Sequence, residues 1–263
     1  QERWGKDFAA TVTGHYASTA IDEQGRKWLA TAADPVKDQT DFLARITGSQ
    51  LAPLEFPLGR LPKAEVRRIA NEAALPNAGR RDSQGICFLG KINYNDFLRR
   101  HLGERPGAIV ELETGRRLGE HRGFWFHTIG QRKGLGLSGG PWFVVRKNIH
   151  DNVLYVSRGY DTDKQYGRTI RLAETQFITA DIWGDDADKP AGVPLRFKNR
   201  HSPEFLPGRI HRTAPGEYTI ESDVDVQGIA PGQFTALYTA DASLCLGSGI
   251  ITGAAATKPE NGQ

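Results

Sequence analysis

Gly208-Arg209-Ile210-His211-Arg212-Thr213-Ala214-Pro215-Gly216-Glu217-Tyr218-Thr219-Ile220-Glu221 holds two short runs, Gly208 to Arg212 and Glu217 to Glu221, on either side of Pro215-Gly216. Such short runs with a Pro-Gly turn between them predict a strand, a reversal and a second strand. The pattern recurs from Arg168 onward, at Thr169 to Leu172, Gln176 to Trp183, Val193 to Asn199, Gln233 to Tyr238 and Cys245 to Ile251. Several short strands separated by Gly or Pro predict an all-β barrel over residues 165–254. Residues 255–263 form a polar tail, expected to be disordered.

Upstream of the barrel the pattern changes. Asn93 can cap a short helix through Leu102 that would bury Tyr94, Phe97, Leu98 and Leu102. Pro106-Gly107 then leads into a strand at Ala108 to Leu112, and Trp142 to Arg146 and Val153 to Ser157 alternate across a turn at Asp151-Asn152. Residues 85–160 therefore read as a small α+β module. Residues 1–84 read as alternating strand and helix, with a buried strand at Phe8 to Thr13, another at Lys27 to Ala30, and helices over Asp38 to Ile46 and Pro62 to Ala74.

The 263 residues are 38% apolar, which is ample for packed cores, and no apolar run approaches the ~18 residues of a membrane span. Two cysteines exclude a disulfide-dense secreted scaffold and point to a reducing compartment. The net charge is only +3, yet Gly79 to Lys147 carries thirteen Lys and Arg against six Asp and Glu. A basic middle in an otherwise acidic chain suits a polyanion such as RNA, because neutralising phosphates dominates nucleic-acid affinity. An Arg-rich solvated surface is the simpler alternative.

Arg80-Arg81-Asp82-Ser83-Gln84-Gly85-Ile86-Cys87-Phe88-Leu89-Gly90 sets a thiol between glycines beside two arginines. A thiol attacks or carries sulfur only as the thiolate, which guanidinium groups favour, and glycines let a substrate approach. Arg80 and Arg81 are the candidate supports for Cys87, although Asp82 could pair with them and blunt the effect. Cys245, in the apolar Leu244-Cys245-Leu246, reads as core packing. Neither cysteines nor histidines show zinc-ligand spacing. Gly130-Gln131-Arg132-Lys133-Gly134-Leu135-Gly136-Leu137 lacks both the Gly-Lys-Ser/Thr ending and the dinucleotide spacing of phosphate loops. Arg132 and Lys133 between glycines suit contact with RNA phosphates, or else a turn that shapes the Cys87 loop.

Four strings in order, Thr13-Gly14-His15-Tyr16-Ala17, Lys37-Asp38-Gln39-Thr40, Ser83 to Gly90, and His127 to Leu137, resemble the tRNA-specific 2-thiouridylase family from about Asp7 to about Ile251. The resemblance implies the remnant of an adenine-nucleotide α-hydrolase-like (PP-loop) α/β domain over residues 1–84, then the central α+β module and a C-terminal all-β barrel. It also implies sulfur transfer to the 2-position of the wobble uridine. ATP, with Mg²⁺, would adenylate the uridine oxygen, a persulfide on Cys87 would attack that carbon, AMP would leave, and an upstream cysteine would resolve the persulfide.

By the same resemblance, Gly14 borders ATP, and His15, Lys37, Asp38, Gln39, Arg200, His201 and Gln233 contact tRNA. His201 stands where the family usually has Tyr. Asp38 could equally cap a helix. The implied partners are tRNA and a sulfur-relay or cysteine desulfurase donor, and the protein is expected to be monomeric, off the membrane, and cytoplasmic or organellar. The family's Ser-Gly-Gly-x-Asp-Ser loop, Asn-Pro-Asp segment and first catalytic cysteine are absent from these residues, which begin with Gln1 and contain no Met. A C-terminal part of the enzyme, inactive alone, is therefore expected; a non-catalytic tRNA-binding fragment or pseudoenzyme is the alternative.

Overall fold

A computed structural model describes residues 7–79, 92–158, 166–227 and 229–254. Two compact units emerge, one drawing on both ends of the chain and one on residues 80–162.

The first unit begins with β1 (Thr11–Val12), β2 (Ser18–Ile21), β3 (Lys27–Ala30), α1 (Thr40–Leu43), α2 (Gly48–Leu51), β4 (Leu54–Glu55) and α3 (Lys63–Glu72). The expected buried strand at Phe8 to Thr13 is not what forms. Only Thr11 and Val12 pair, parallel to β4, and Phe8 and Val12 are exposed, because Leu54 of β4 packs on the core while among the described residues nothing covers β1. The expected helix from Asp38 to Ile46 is a single turn, since Asp38 and Gln39 direct their side chains elsewhere. Thr47 then starts α2 with a capping box to Gln50, which satisfies two backbone donors that the helix start would leave unpaired.

The central unit contains α4 (Tyr94–Leu102), β5 (Gly107–Glu111), β6 (Arg117–His121), β7 (Phe143–Asn148) and β8 (Val153–Ser157), in sheet order β6-β5-β8-β7. Asn93 caps α4 as expected, accepting from the amides of Asn95 and Asp96. The helix does not bury the predicted face, however. Tyr94 and Leu102 are exposed and only Phe97 and Leu98 are half-buried, because the core closes instead around Ile109, Leu135, Trp142, Val144, Leu154 and Val156. Asn152 lies in the left-handed region that Asn tolerates, and its amide ties the turn to the carbonyls of Arg105 and Pro106, each at 2.9 Å.

The C-terminal part is a barrel of β9 (Tyr166–Phe177), β10 (Val193–Lys198), β11 (Leu206–Ala214), β12 (Glu217–Gln227), β13 (Phe234–Tyr238) and β14 (Leu244–Ala254). All pairs are antiparallel in the order β9-β12-β11-β10-β13-β14, and the β14–β9 pairing closes the ring. Leu195, Phe197, Ile210, Ile220, Leu237 and Leu246 fill it. Gly247, at φ +156°, allows β14 to cross β9: a Cβ there would stand 2.0 Å from the Gln176 carbonyl oxygen. The two strands predicted at Thr169 to Leu172 and Gln176 to Trp183 are corrected to one long β9. Residues 178–183 leave the sheet, and the Asp181 carboxylate accepts the Trp183 amide and turns the chain.

The barrel does not stand alone. β3 pairs with the start of β14, Cys245 opposite Leu29, and β2 extends the sheet. Ala17, Leu29, Leu43, Ala44, Leu51 and Phe56 cover Ala236, Tyr238 and Cys245 on the outer barrel face. Gly59 lets the following loop reach Ala17, whose carbonyl oxygen would lie 1.7 Å from a Cβ at that position.

Candidate nucleic-acid interface

A buried ion pair holds the Lys37-Asp38-Gln39 segment against β10. The Lys198 ammonium lies 3.5 Å from an Asp38 carboxylate oxygen, and neither side chain is solvent-accessible. The same oxygen accepts the Thr40 hydroxyl at 2.6 Å, the other accepts the Ala32 amide at 2.8 Å, and Thr40 continues to the Tyr238 hydroxyl at 3.1 Å. Lys198 also packs over the Phe205 ring at 3.8 Å. Burial keeps the Tyr238 phenol protonated by raising its pKa, with Cys245, Asp38 and Asp41 acting in the same direction. Removing one member of such a pair leaves an uncompensated buried charge, at a cost of about 3–5 kcal/mol. Asp38 is thus turned inward, away from the surface, and the oxygen facing Lys198 also reaches the Thr40 amide at the start of α1 at 3.4 Å, although the N-cap position itself is that of Gln39.

The neighbours of Asp38, Lys37 and Gln39, are half-buried. Gln39 exchanges two hydrogen bonds with the Tyr16 backbone, accepting its amide at 3.0 Å on the side-chain oxygen and donating its own amide to the carbonyl at 2.8 Å. This sets His15, itself hydrogen-bonded to Thr13 at 2.6 Å, beside the start of α1. The loop after β10 comes to the same place: His201 meets the Asp41 carboxylate at 3.0 Å and packs on Phe42, with ring centroids 4.7 Å apart, while Arg200 is exposed. A third segment follows, with Gln233 and Phe234 exposed, Thr235 bonded to Asn199 at 2.9 Å, and the Arg45 guanidinium over the Phe234 ring at 5.2 Å. Three strings far apart in sequence therefore share one surface.

The central unit carries Arg132 and Lys133 on an exposed turn, with neither side chain paired to an acid among the described residues. Gln131 builds the turn. Its oxygen accepts the Thr128 amide at 3.0 Å, and its nitrogen donates to the Lys133 carbonyl at 2.8 Å and faces the His127 Nδ1 at 3.4 Å. His127 lines a cavity of about 380 Å³ with His121, Arg99, Arg122 and Phe126. His121 accepts the Gly123 amide on Nδ1 and so donates from Nε2 to the Asn152 carbonyl, the pattern of a neutral ring. Burial lowers the His121 pKa, and burial, His121 and Lys147 together push His127 down to about 4.

Cys87, Arg80 and Arg81 lie outside the described residues. Cys245 is completely buried, and burial, then the Asp38 charge, raises its thiol pKa, so it is inert as read from the sequence. For ATP, the described residues offer Gly14 on an exposed stretch with nothing within 4 Å of a Cβ position. That is no phosphate cradle, so these residues alone do not fit the nucleotide. Among the described residues no three His, Cys, Asp or Glu side chains gather as a metal site, and no helix is long and apolar enough to cross a membrane. Sequence reasoning missed Lys198, Thr40, Tyr238, Phe42, Arg45 and Phe234. A charge or aromatic on the outward phase of a strand or one-turn helix looks like ordinary surface, and only the neighbouring Lys37-Asp38-Gln39, Arg200-His201 and Gln233 signalled the place.

Three family models match in the order of these parts: a tRNA methyl transferase HUP domain over residues 2–91, a tRNA methyl transferase PRC-barrel domain over 95–158, and an aminomethyltransferase β-barrel domain over 174–251. They define a HUP-domain protein with a central module and a C-terminal β-barrel. A tRNA-specific 2-thiouridylase of Parabacteroides distasonis is 59% identical over 252 residues, which are 95% of this chain and 69% of that protein. Those of Bacteroides thetaiotaomicron and Porphyromonas gingivalis are 56% identical, each covering 96% of this chain and 70% of the relative. The chain belongs to the tRNA-specific 2-thiouridylase family.

Proposed function

We propose that this chain takes part in ATP-dependent thiolation of the wobble uridine of tRNA, with Cys87 as the persulfide-bearing residue. The observation that carries the reading is the meeting of Lys37-Asp38-Gln39, Arg200-His201 and Gln233 on one face of the first unit, where Gln39 also holds His15 in place. A tRNA contact made by all three strings requires that convergence, and phosphate and base contacts then fix the register of the substrate. Asp38 acts from beneath, orienting Lys37 and Gln39 through its pair with Lys198, and has no direct RNA contact in this reading. Arg132 and Lys133 neutralise phosphates from the central unit.

ATP with Mg²⁺, a sulfur-relay or desulfurase donor, a monomeric state and a cytoplasmic or organellar location belong to the same proposal. The residues of this surface bind and orient RNA. Cys87 would supply the sulfur nucleophile, since a persulfide is more nucleophilic than a thiol at neutral pH. We expect these 263 residues alone to be inactive in thiolation.

The test is an assay for 2-thiouridine after incubation with ATP, Mg²⁺, a sulfur donor and unmodified tRNA. Product is expected only when a segment bearing the Ser-Gly-Gly-x-Asp-Ser loop and a first cysteine is joined to the chain, and is expected to vanish with Cys87→Ser. Product from the chain alone would overturn the expected inactivity, product from the joined Cys87→Ser protein would overturn the role of Cys87, and no product from the joined protein would favour a purely tRNA-binding role.

A further inference from the structure

We propose that Phe42 and Phe234 are stacking platforms for unpaired bases, so that the first unit grips a single-stranded stretch of RNA rather than a duplex. The proposal deepens the tRNA-binding reading and rests on it. Both rings are conspicuously exposed, at 60% and 50%, beside polar groups. Phe42 is forced outward because α1 is one turn long and spends its inner face on Thr40 and Leu43. Phe234 stands at the start of β13, next to the fully buried Thr235.

Each ring has one polar companion and remains half open or more. His201 packs against Phe42, held by Asp41, and the Arg45 guanidinium lies over Phe234. Arg45 is fixed in turn by the Glu174 carbonyl at 2.8 Å and by the Glu174 carboxylate at 3.5 Å. Phe42 lies within the short segment 40–45 and Phe234 meets the same segment through Arg45, so two bases could be received within one stretch of strand.

The charges around the rings select the occupant. Arg200 has no acidic partner among the described residues, and the nearby acids Asp41 and Glu174 are already engaged by His201 and Arg45. Exposed aromatic faces bordered by cations match nucleic acid, whose bases offer π-faces and whose backbone is anionic. A paired A-form stem hides those faces inside the helix, whereas an unpaired loop presents them, which selects single-stranded RNA. A protein partner with a hydrophobic patch would have to desolvate the cations Arg45 and Arg200 at the rim and return nothing for it.

The test compares binding of the full chain to an RNA hairpin with an unpaired loop and to a blunt duplex of equal length, by titration at several salt concentrations. Phe42→Ala and Phe234→Ala are each expected to weaken hairpin binding about 5- to 100-fold. Duplex affinity and the salt slope should stay unchanged, because neither ring neutralises a phosphate. Phe42→Leu, which keeps apolar bulk without a π-face, should lose as much as the alanine variant, and Phe42→Tyr should bind like the unsubstituted chain. That contrast stands even if an alanine variant folds poorly.

Hairpin binding within about twofold of the unsubstituted chain for Phe42→Leu and Phe234→Ala would overturn the stacking role alone. An equal loss on the duplex would overturn it too. No binding of the hairpin by the unsubstituted chain would overturn both this inference and the tRNA-binding reading beneath it.

Discussion

His127 shows how one buried side chain ties the central unit to pH. Its pKa falls from the ordinary 6.5 to about 4, because burial penalises the imidazolium and His121 and Lys147 add positive charge nearby. Between those values the unfolded chain binds a proton that the folded unit refuses, so stability increases with pH across that interval. The contribution is fully present above pH 6.5 and is lost as pH falls through 4, with His121 adding in the same direction. Thermal unfolding followed from pH 8 to pH 4 should therefore show a flat midpoint down to about 6.5 and a decline below it. His127→Gln, which keeps a polar side chain without the titration, should make the decline shallower; an unchanged slope would assign the acid sensitivity elsewhere.

At the scale of the element, the turn between His127 and Leu137 separates shape from charge. Gln131 spends its amide on the turn's own backbone, and so accounts for the geometry. The Arg132 and Lys133 side chains add nothing to that geometry, and their exposed cations are left for a polyanion. Replacing both with Ala should leave the unfolding free energy unchanged within about 0.5 kcal/mol, as for ordinary surface positions. The plot of log affinity for tRNA against log salt should flatten by about 2 units, at roughly 0.9 for each phosphate no longer neutralised. A slope that does not move would make this a purely structural turn, the alternative left open by its composition.

At the scale of the molecule, the barrel and the N-terminal segment are one folding unit. β3 supplies a ladder to β14, Trp28 lies in the barrel's own core cluster, and the segment from Ala17 to Phe56 covers Ala236, Tyr238 and Cys245. Residues 166–254 expressed alone would expose that apolar face and leave Lys198 and Asp38 separated. We expect such a fragment to bind a hydrophobic dye and to lose the cooperative thermal transition of the full chain. Cooperative unfolding of the fragment at an unchanged midpoint would show the covering segment to be dispensable.

The barrel was legible locally because runs such as Gly208 to Arg212 and Glu217 to Glu221, with Pro215-Gly216 between them, carry their strand signal and their turn within a few residues. The cap at Asn93 is equally local. What lay beyond the sequence depended on contacts between distant segments. Lys198 sits on the outward phase of β10, where alternation predicts solvent, and becomes buried only because residues 37–46 fold over that face. For the same reason Asp38 points inward while Gln39 turns to Tyr16, a distinction that no spacing within Lys37-Asp38-Gln39 contains. Periodicity reports which side of an element a residue occupies; what covers that side is decided by the tertiary structure.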